Sequence, residues 1–144
     1  MHLLDTNVIS ELRKLRLGRA DPQFSRWAMS APVGSFFISA ITLMELEIGV
    51  LLVARRDPTQ GALLRAWMNE QVIRGFTGRV LPVDDAVALR CGVLHVPDPR
   101  PERDALIAAT ALVHGMTVVT RNVADFMPMG VALLNPWTTV AGQT

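Results

Sequence analysis

Short runs of apolar and β-branched residues alternate along the chain with longer segments in which apolar residues recur at helical spacing. This alternation predicts a mostly parallel central β-sheet flanked by α-helices, an α/β/α arrangement of the α/β class. Strands are predicted at 2–4, 36–38, 80–81, 117–120 and 131–134. Helices are predicted at 7–17, after 21–22, after 39, after 57–58, at 84–94 and at 102–114.

The predicted helix boundaries depend on residues that commonly begin or end helices. Asp5 or Thr6 can cap the first helix, and Ser39 can cap the third, because their side-chain oxygens accept from free backbone N–H groups. Gly115 suits the left-handed conformation that ends many helices. The stretch 121–126 is predicted to be a turn, and the residues from about Pro136 onward are predicted to form a loosely held tail.

The length of 144 residues predicts one domain, spanning 1–144. Half of the residues are hydrophobic, which is enough for a continuous core, and the net charge of +1 gives no overall attraction to a polyanion. Cys91 is the single cysteine, which excludes an internal disulfide and a cysteine-based zinc site. Since the start lacks a signal-peptide pattern and no apolar tract reaches membrane length, we expect a soluble cytoplasmic protein.

Four acidic residues are the candidate catalytic and metal-binding groups: Asp5, Glu45, Asp104 and Asp125. Asp5 and Asp125 follow predicted strands, and Glu45 and Asp104 lie near the starts of predicted helices. The carboxyl ends of parallel strands form the edge where sites are commonly built, so the four acids are expected at one edge.

These acids need a charge partner. Glu45 shares a predicted helical stripe with Ile41, Ile48 and Leu52, and Asp104 opens an almost wholly apolar run. Carboxylates drawn together repel one another unless a cation neutralises them, and no lysine is close in sequence. Hard divalent ions such as Mg²⁺ prefer oxygen ligands, so bound Mg²⁺ or Mn²⁺ would resolve the conflict.

A divalent ion in this position can activate water for attack on a phosphodiester, which makes hydrolysis of nucleic acid the leading hypothesis. Hydroxyl and amide side chains next to the acids would then orient bound water or phosphate as supporting groups. They are Thr6, Asn7, Thr120 and Asn122.

Each acid also has a purely structural interpretation. Asp5 can be a simple helix cap, Asp104 can favour a helix dipole, and Asp125 can be a turn residue. Glu47 competes with Glu45, because periodicity does not separate the two. Zinc is disfavoured, since the three histidines lack ligand spacing.

The chain resembles PIN-domain ribonucleases of the VapC and FitB type, toxins of prokaryotic toxin-antitoxin pairs. The segments 1–11, 42–46, 104–111 and 120–126 resemble the four acidic motifs of that family, in order and with comparable spacing. The resemblance selects Glu45 over Glu47.

The resemblance implies endonuclease action on RNA with Mg²⁺ or Mn²⁺, a homodimer, and inhibition by a cognate antitoxin protein. Two alternatives stay open: a housekeeping PIN nuclease without an antitoxin, and a catalytically idle binding module of the same fold. A dehalogenase-like phosphatase is disfavoured, because Asn7 stands where that pattern needs a second aspartate.

Overall fold

The computed structural model describes residues 1–138, and within them five short strands form one parallel sheet. The strands are β1 (His2–Leu4), β2 (Phe36–Ser39), β3 (Val80–Leu81), β4 (Thr117–Val119) and β5 (Leu133–Leu134). Their order across the sheet is β3-β2-β1-β4-β5, which puts β1 at the centre. The predicted parallel α/β architecture is confirmed.

Helices cover both faces of the sheet. They are α1 (Thr6–Arg16), α2 (Pro22–Ser30), α3 (Ala40–Arg56), α4 (Pro58–Trp67), α5 (Asp85–Leu94), α6 (Glu102–His114) and α7 (Val123–Phe126). A π-helical segment, Met68–Ile73, continues α4 and was not expected from the sequence.

The helices α1 to α5 begin where short polar side chains cap them. The carboxylate of Asp21 accepts from the backbone N–H of Phe24 at 3.0 Å, and the hydroxyl of Ser39 accepts from that of Ile41 at 2.9 Å. Gly115 ends α6 with a φ of 65°, in the left-handed region where a side chain would be strained. These local signals explain why the helix boundaries were predictable.

Alternate residues of the central strands supply two separate cores. Leu3 and Val118 point to one face and pack with residues of α5 and α6. Leu4 and Val119 point to the other face and pack with residues of α1, α2 and α3. All four side chains are fully buried, which is expected for strands covered by helices on both sides.

The prediction of a loose tail from Pro136 is wrong at its start. Pro136 is buried, and the ring of Trp137 lies 4.9 Å from that of Phe24, at the second of the two cores. Contact with aromatic side chains of α2 therefore holds this segment, which local sequence did not indicate. The remainder of the predicted tail, 139–144, lies outside the described residues.

The predicted stripe on α3 is also wrong. The buried residues of this helix are Thr42, Leu46 and Val50, whereas Leu52 is 57% exposed. Glu45 is half-buried beside this face rather than on it. Two smaller differences are that the predicted turn at 121–126 contains the short helix α7, and that β5 is only two residues long. No helix of residues 1–138 is long and apolar enough to cross a membrane.

Candidate metal centre

Asp5 lies at the carboxyl end of the central strand, beside the end of β4. In the register of β1 with β4, Leu4 pairs with Val119, and the backbone N–H of Asp5 donates to the carbonyl of Val119 at 2.9 Å. Thr120 directly follows β4. Parallel pairing therefore brings together two residues that are 115 positions apart in sequence.

The carboxylate of Asp5 is held by three donors. Its Oδ1 accepts from the backbone N–H of Thr6 at 2.8 Å, and its Oδ2 accepts from the Thr120 hydroxyl at 2.8 Å and the Asn7 amide at 3.2 Å. Burial raises the pKa of Asp5 above its usual value, and the nearby charge of Glu45 raises it further, against these hydrogen bonds. The site is fixed in position but electrostatically unfavourable for an anion.

Glu45 enters the same edge from the second turn of α3. The hydroxyl of Thr6 donates to its Oε1 at 2.7 Å, which links α3 to the start of α1. Its other oxygen, Oε2, lies 3.7 Å from the guanidinium of Arg103. Glu45 thus faces the start of α1 on one side and the start of α6 on the other.

Asp104 lies in the first turn of α6, and its environment connects all four predicted acids. Partial burial raises the pKa of Asp104, and the charges of Asp5, Asp125 and Glu45 raise it further. Asp125 reaches the cluster from α7, where it is exposed. The charges of the other three carboxylates therefore act on Asp104, although the four acids come from four different helices and loops.

Glu47 belongs to a different environment. Both of its carboxylate oxygens accept from the guanidinium of Arg65 on α4, at 2.7 and 2.6 Å. This two-bond pairing lowers the pKa of Glu47. Glu47 therefore pairs α3 with α4, although it is only two positions from Glu45 in the sequence.

The four predicted supporting residues form one hydrogen-bond network with these acids. The side-chain amide of Asn7 also donates to the Thr120 hydroxyl at 3.3 Å, and its side-chain oxygen Oδ1 accepts from the backbone N–H of Arg121 at 3.1 Å. Asn122 participates through its backbone N–H, which donates to the Thr120 hydroxyl at 3.0 Å. Thr120 is thus the centre of the network, and it is fully buried.

The donor set fits a hard divalent cation in its chemistry, because the four candidate ligands are all carboxylates, and burial together with the charges of the other three raises the pKa of Asp104. In residues 1–138, no three His, Cys, Asp or Glu side chains could hold a metal ion in their present positions. Binding one ion with several of these acids therefore requires side-chain rotation, and the metal-ligand set stays a prediction.

Arg103 is the residue of this site that sequence reasoning missed. The search for a charge partner considered lysines close in sequence, whereas Arg103 adjoins Asp104 and contacts Glu45, 58 positions earlier. The sequence did contain a signal for Arg103, because an arginine next to a candidate acid at a helix start lies at the same edge of the sheet as that acid.

Together these observations define an α/β protein with a carboxylate cluster and its hydroxyl and amide partners at the carboxyl edge of a parallel sheet. Residues 2–126 match the PIN domain family. The chain belongs to the PIN-domain family.

The similarity to individual proteins extends over nearly the whole chain. Toxin FitB of Neisseria gonorrhoeae is 35% identical over 143 residues, covering 95% of this chain and 99% of that protein. VapC ribonuclease Y4jK of Sinorhizobium fredii is 34% identical over 142 residues, covering 95% and 98%. The solved structure of FitAB bound to an IR36 DNA fragment superposes with a TM-score of 0.87 at 33% identity, covering 99% of both chains.

Proposed function

We propose that this protein is a metal-dependent endoribonuclease that acts as the toxin of a toxin-antitoxin pair. Its relatives over nearly the full length include proteins named as a toxin and as a ribonuclease. The observation that carries the proposal is that Thr6 hydrogen-bonds both Asp5 and Glu45 at one edge of the sheet, where burial and the charges of Asp5, Asp125 and Glu45 raise the pKa of Asp104. An arrangement that is costly for the bare protein is expected where a cation or a substrate makes use of it.

The proposed ligands are Asp5, Glu45, Asp104 and Asp125, with Mg²⁺ or Mn²⁺ as the ion. A bound ion of this kind supplies an activated water and charge stabilisation for hydrolysis of a phosphodiester. Thr120 and Asn7 hold the Asp5 carboxylate in one orientation through the hydrogen bonds described above. Thr6 fixes the carboxylate of Glu45 in the same way.

The partners of the proposed toxin are its RNA substrate, a cognate antitoxin and a second copy of the chain. The net charge of +1 gives no general attraction to RNA, so RNA contacts must be local. We propose the antitoxin because a relative at 35% identity over nearly the full length is named a toxin, and we propose the homodimer from the family resemblance.

Cleavage of a short single-stranded RNA by the purified protein, freed of any antitoxin, tests the catalytic part of this proposal. We expect cleavage with Mn²⁺ or Mg²⁺, none with EDTA, and none by Asp104→Asn. The matched control is Asp85→Asn, since Asp85 also lies in the first turn of its helix but is exposed on α5. This control is expected to cleave RNA normally. Undiminished cleavage in EDTA would contradict the metal mechanism.

Growth of an expressing bacterial strain tests the toxin part. Expression of the protein alone is expected to slow growth, and co-expression with the small neighbouring gene is expected to restore it. Asp104→Asn is expected to leave growth unaffected. If wild type and Asp104→Asn slow growth equally, toxicity does not come from the acid cluster, and a nuclease without a toxin role becomes the better account.

A further inference from the structure

Arg103 is a cation at the edge of the acid cluster, and it has no part in the function proposed above. It lies in the first turn of α6, directly before Asp104, and its side chain is 55% exposed. Its Nη1 is 3.7 Å from Oε2 of Glu45, whose side chain is 25% exposed. The guanidinium therefore lies at the solvent side of Glu45.

The contact between Arg103 and Glu45 is loose. At 3.7 Å it is longer than a hydrogen bond, and it involves one nitrogen and one oxygen. By contrast, Glu47, on the same helix as Glu45, accepts two hydrogen bonds from Arg65 of α4 at 2.7 and 2.6 Å. An exposed, single, long ion pair contributes little to stability, so Arg103 can leave Glu45 at small cost.

A second cation at the cluster would weaken the contact further. Arg103 and a divalent ion would both be drawn to the Glu45 carboxylate, and they would repel each other as like charges. Arg103 would then be released next to the ion site. A free guanidinium has a planar set of donors that matches two oxygens of a phosphate.

We propose that Arg103 covers Glu45 in the metal-free protein and, once a divalent ion is bound, turns to hold a phosphate of the RNA substrate beside the acid cluster. This inference rests on the proposed function, because it requires both an ion and an RNA substrate. Arg103 then has two effects: it binds the substrate, and it lowers the affinity of the cluster for the metal ion.

The test compares Arg103→Gln with the wild type and with the control Arg56→Gln, which changes the net charge equally. Arg56 is an exposed residue at the far end of α3, about 16 Å along the helix axis from Glu45 at 1.5 Å per residue. Titration calorimetry measures Mn²⁺ affinity without RNA. Fluorescence anisotropy measures the affinity for a short labelled single-stranded RNA in Ca²⁺ and in EDTA, with RNA integrity checked on a gel.

We expect Arg103→Gln to bind Mn²⁺ roughly threefold to tenfold more tightly than the wild type, because one competing charge is removed. In Ca²⁺ we expect RNA binding to weaken about tenfold, the loss expected for a charge-assisted phosphate contact. The slope of log affinity against log salt should fall by about 0.7, as for one lost phosphate contact on a single strand. In EDTA the RNA affinity should change by less than about twofold, because without an ion the carboxylates repel a phosphate at this edge and Arg103 stays beside Glu45.

Arg103→Lys keeps the charge but loses the planar fork of donors. We expect its Mn²⁺ affinity to equal that of the wild type and its RNA affinity to lie between those of the wild type and Arg103→Gln. This variant also keeps the test decisive if Arg103→Gln is poorly folded.

Three results would overturn the inference alone. If Arg103→Gln binds RNA in Ca²⁺ as tightly as Arg56→Gln does, Arg103 does not hold the substrate. If RNA binding is lost equally in EDTA and in Ca²⁺, or the Mn²⁺ affinity of Arg103→Gln is unchanged, Arg103 does not cover Glu45. A fourth result, no Mn²⁺ binding by the wild type itself, would overturn the proposed function as well, so failure of the inference and failure of the proposed function give different results.

Discussion

Two glutamates on α3, only two residues apart, lie in regions of opposite character. Glu47 faces α4 and is matched by its own arginine, Arg65, through two short hydrogen bonds. Glu45 faces the carboxyl edge of the sheet, where its neighbours include other carboxylates and its only ion pair within the described residues, with Arg103, is long. The pKa of Glu47 is lowered by its pairing, whereas the pKa of Asp104 at the sheet edge is raised, mainly by burial.

The charge of Glu47 stabilises the fold, whereas the charges of the carboxylates at the sheet edge are unfavourable for it. A carboxylate with a dedicated guanidinium needs no further ligand, so Glu47 is explained by the fold alone. At the sheet edge, burial and the neighbouring carboxylates raise the pKa of Asp5 and of Asp104, which a fold-stabilising arrangement would avoid. Three predictions follow from this contrast, in order of decreasing effect.

Glu45→Gln and Glu47→Gln are expected to differ most in RNA cleavage. Glu45→Gln should reduce the rate by about 10³-fold or more, since loss of an ion ligand removes several kcal/mol of transition-state stabilisation. Glu47→Gln should change the rate by less than about threefold, because Glu47 is paired with Arg65 of α4 and is not a proposed ion ligand. Initial rates at saturating Mn²⁺ measure both. Equal losses in the two variants would remove the distinction between the regions.

Thr120→Val tests whether the hydrogen bonds around Asp5 support the proposed chemistry. The substitution keeps the shape of a fully buried residue and removes the donor to Asp5 Oδ2. We expect a loss of about 10-fold to 100-fold in metal affinity or cleavage rate, which is typical when a partner of a metal ligand is removed.

The control for this variant is Thr110→Val, also fully buried, whose hydroxyl donates to the carbonyl of Leu106 within α6. It should keep normal cleavage. If the two threonine variants lose activity to the same extent, the effect comes from packing rather than from the orientation of Asp5.

The pH dependence of stability is the smallest of the three effects. Because the folded-state pKa of Asp104 is raised, the folded protein binds protons more readily than the unfolded chain, so this group destabilises the fold as pH rises through that pKa. In EDTA at pH 7, Asp104→Asn should therefore melt slightly above the wild type, by less than the roughly 2–4 °C that 1 kcal/mol gives for chains near this length, because solvent screens a partly exposed carboxylate.

The difference in Tm between Asp104→Asn and the wild type should shrink as the pH falls, because protonated Asp104 resembles asparagine in charge. Addition of Mn²⁺ at pH 7 should reverse the order, since only the wild type keeps the full ligand set. Thermal melts at several pH values measure this. A difference in Tm that does not depend on pH would mean that the ionised form of Asp104 does not destabilise the fold.

Local sequence determined the order of strands and helices and most of their boundaries. The cap residues Asp21 and Ser39 and the glycine at 115 each act within a few positions of themselves, so a pattern in the sequence is enough to place them. The edge location of the candidate acids followed for the same reason, because each lies next to a predicted element end. The buried face of α3 and the packing of Trp137 against Phe24 were not predicted, because both depend on what packs against the segment.

The tertiary structure alone decided how the charges are paired. The donors to Asp5 and Glu45 include Thr120, 115 positions away, and Thr6, 39 positions away. Arg65 pairs with Glu47 and Arg103 contacts Glu45 because of how α4 and α6 lie against α3, and helical periodicity carries no information about either arrangement. Helical periodicity could list the carboxylates of this protein and the family resemblance favoured Glu45, but only the packing of the helices shows that Glu47 is paired with Arg65 of α4.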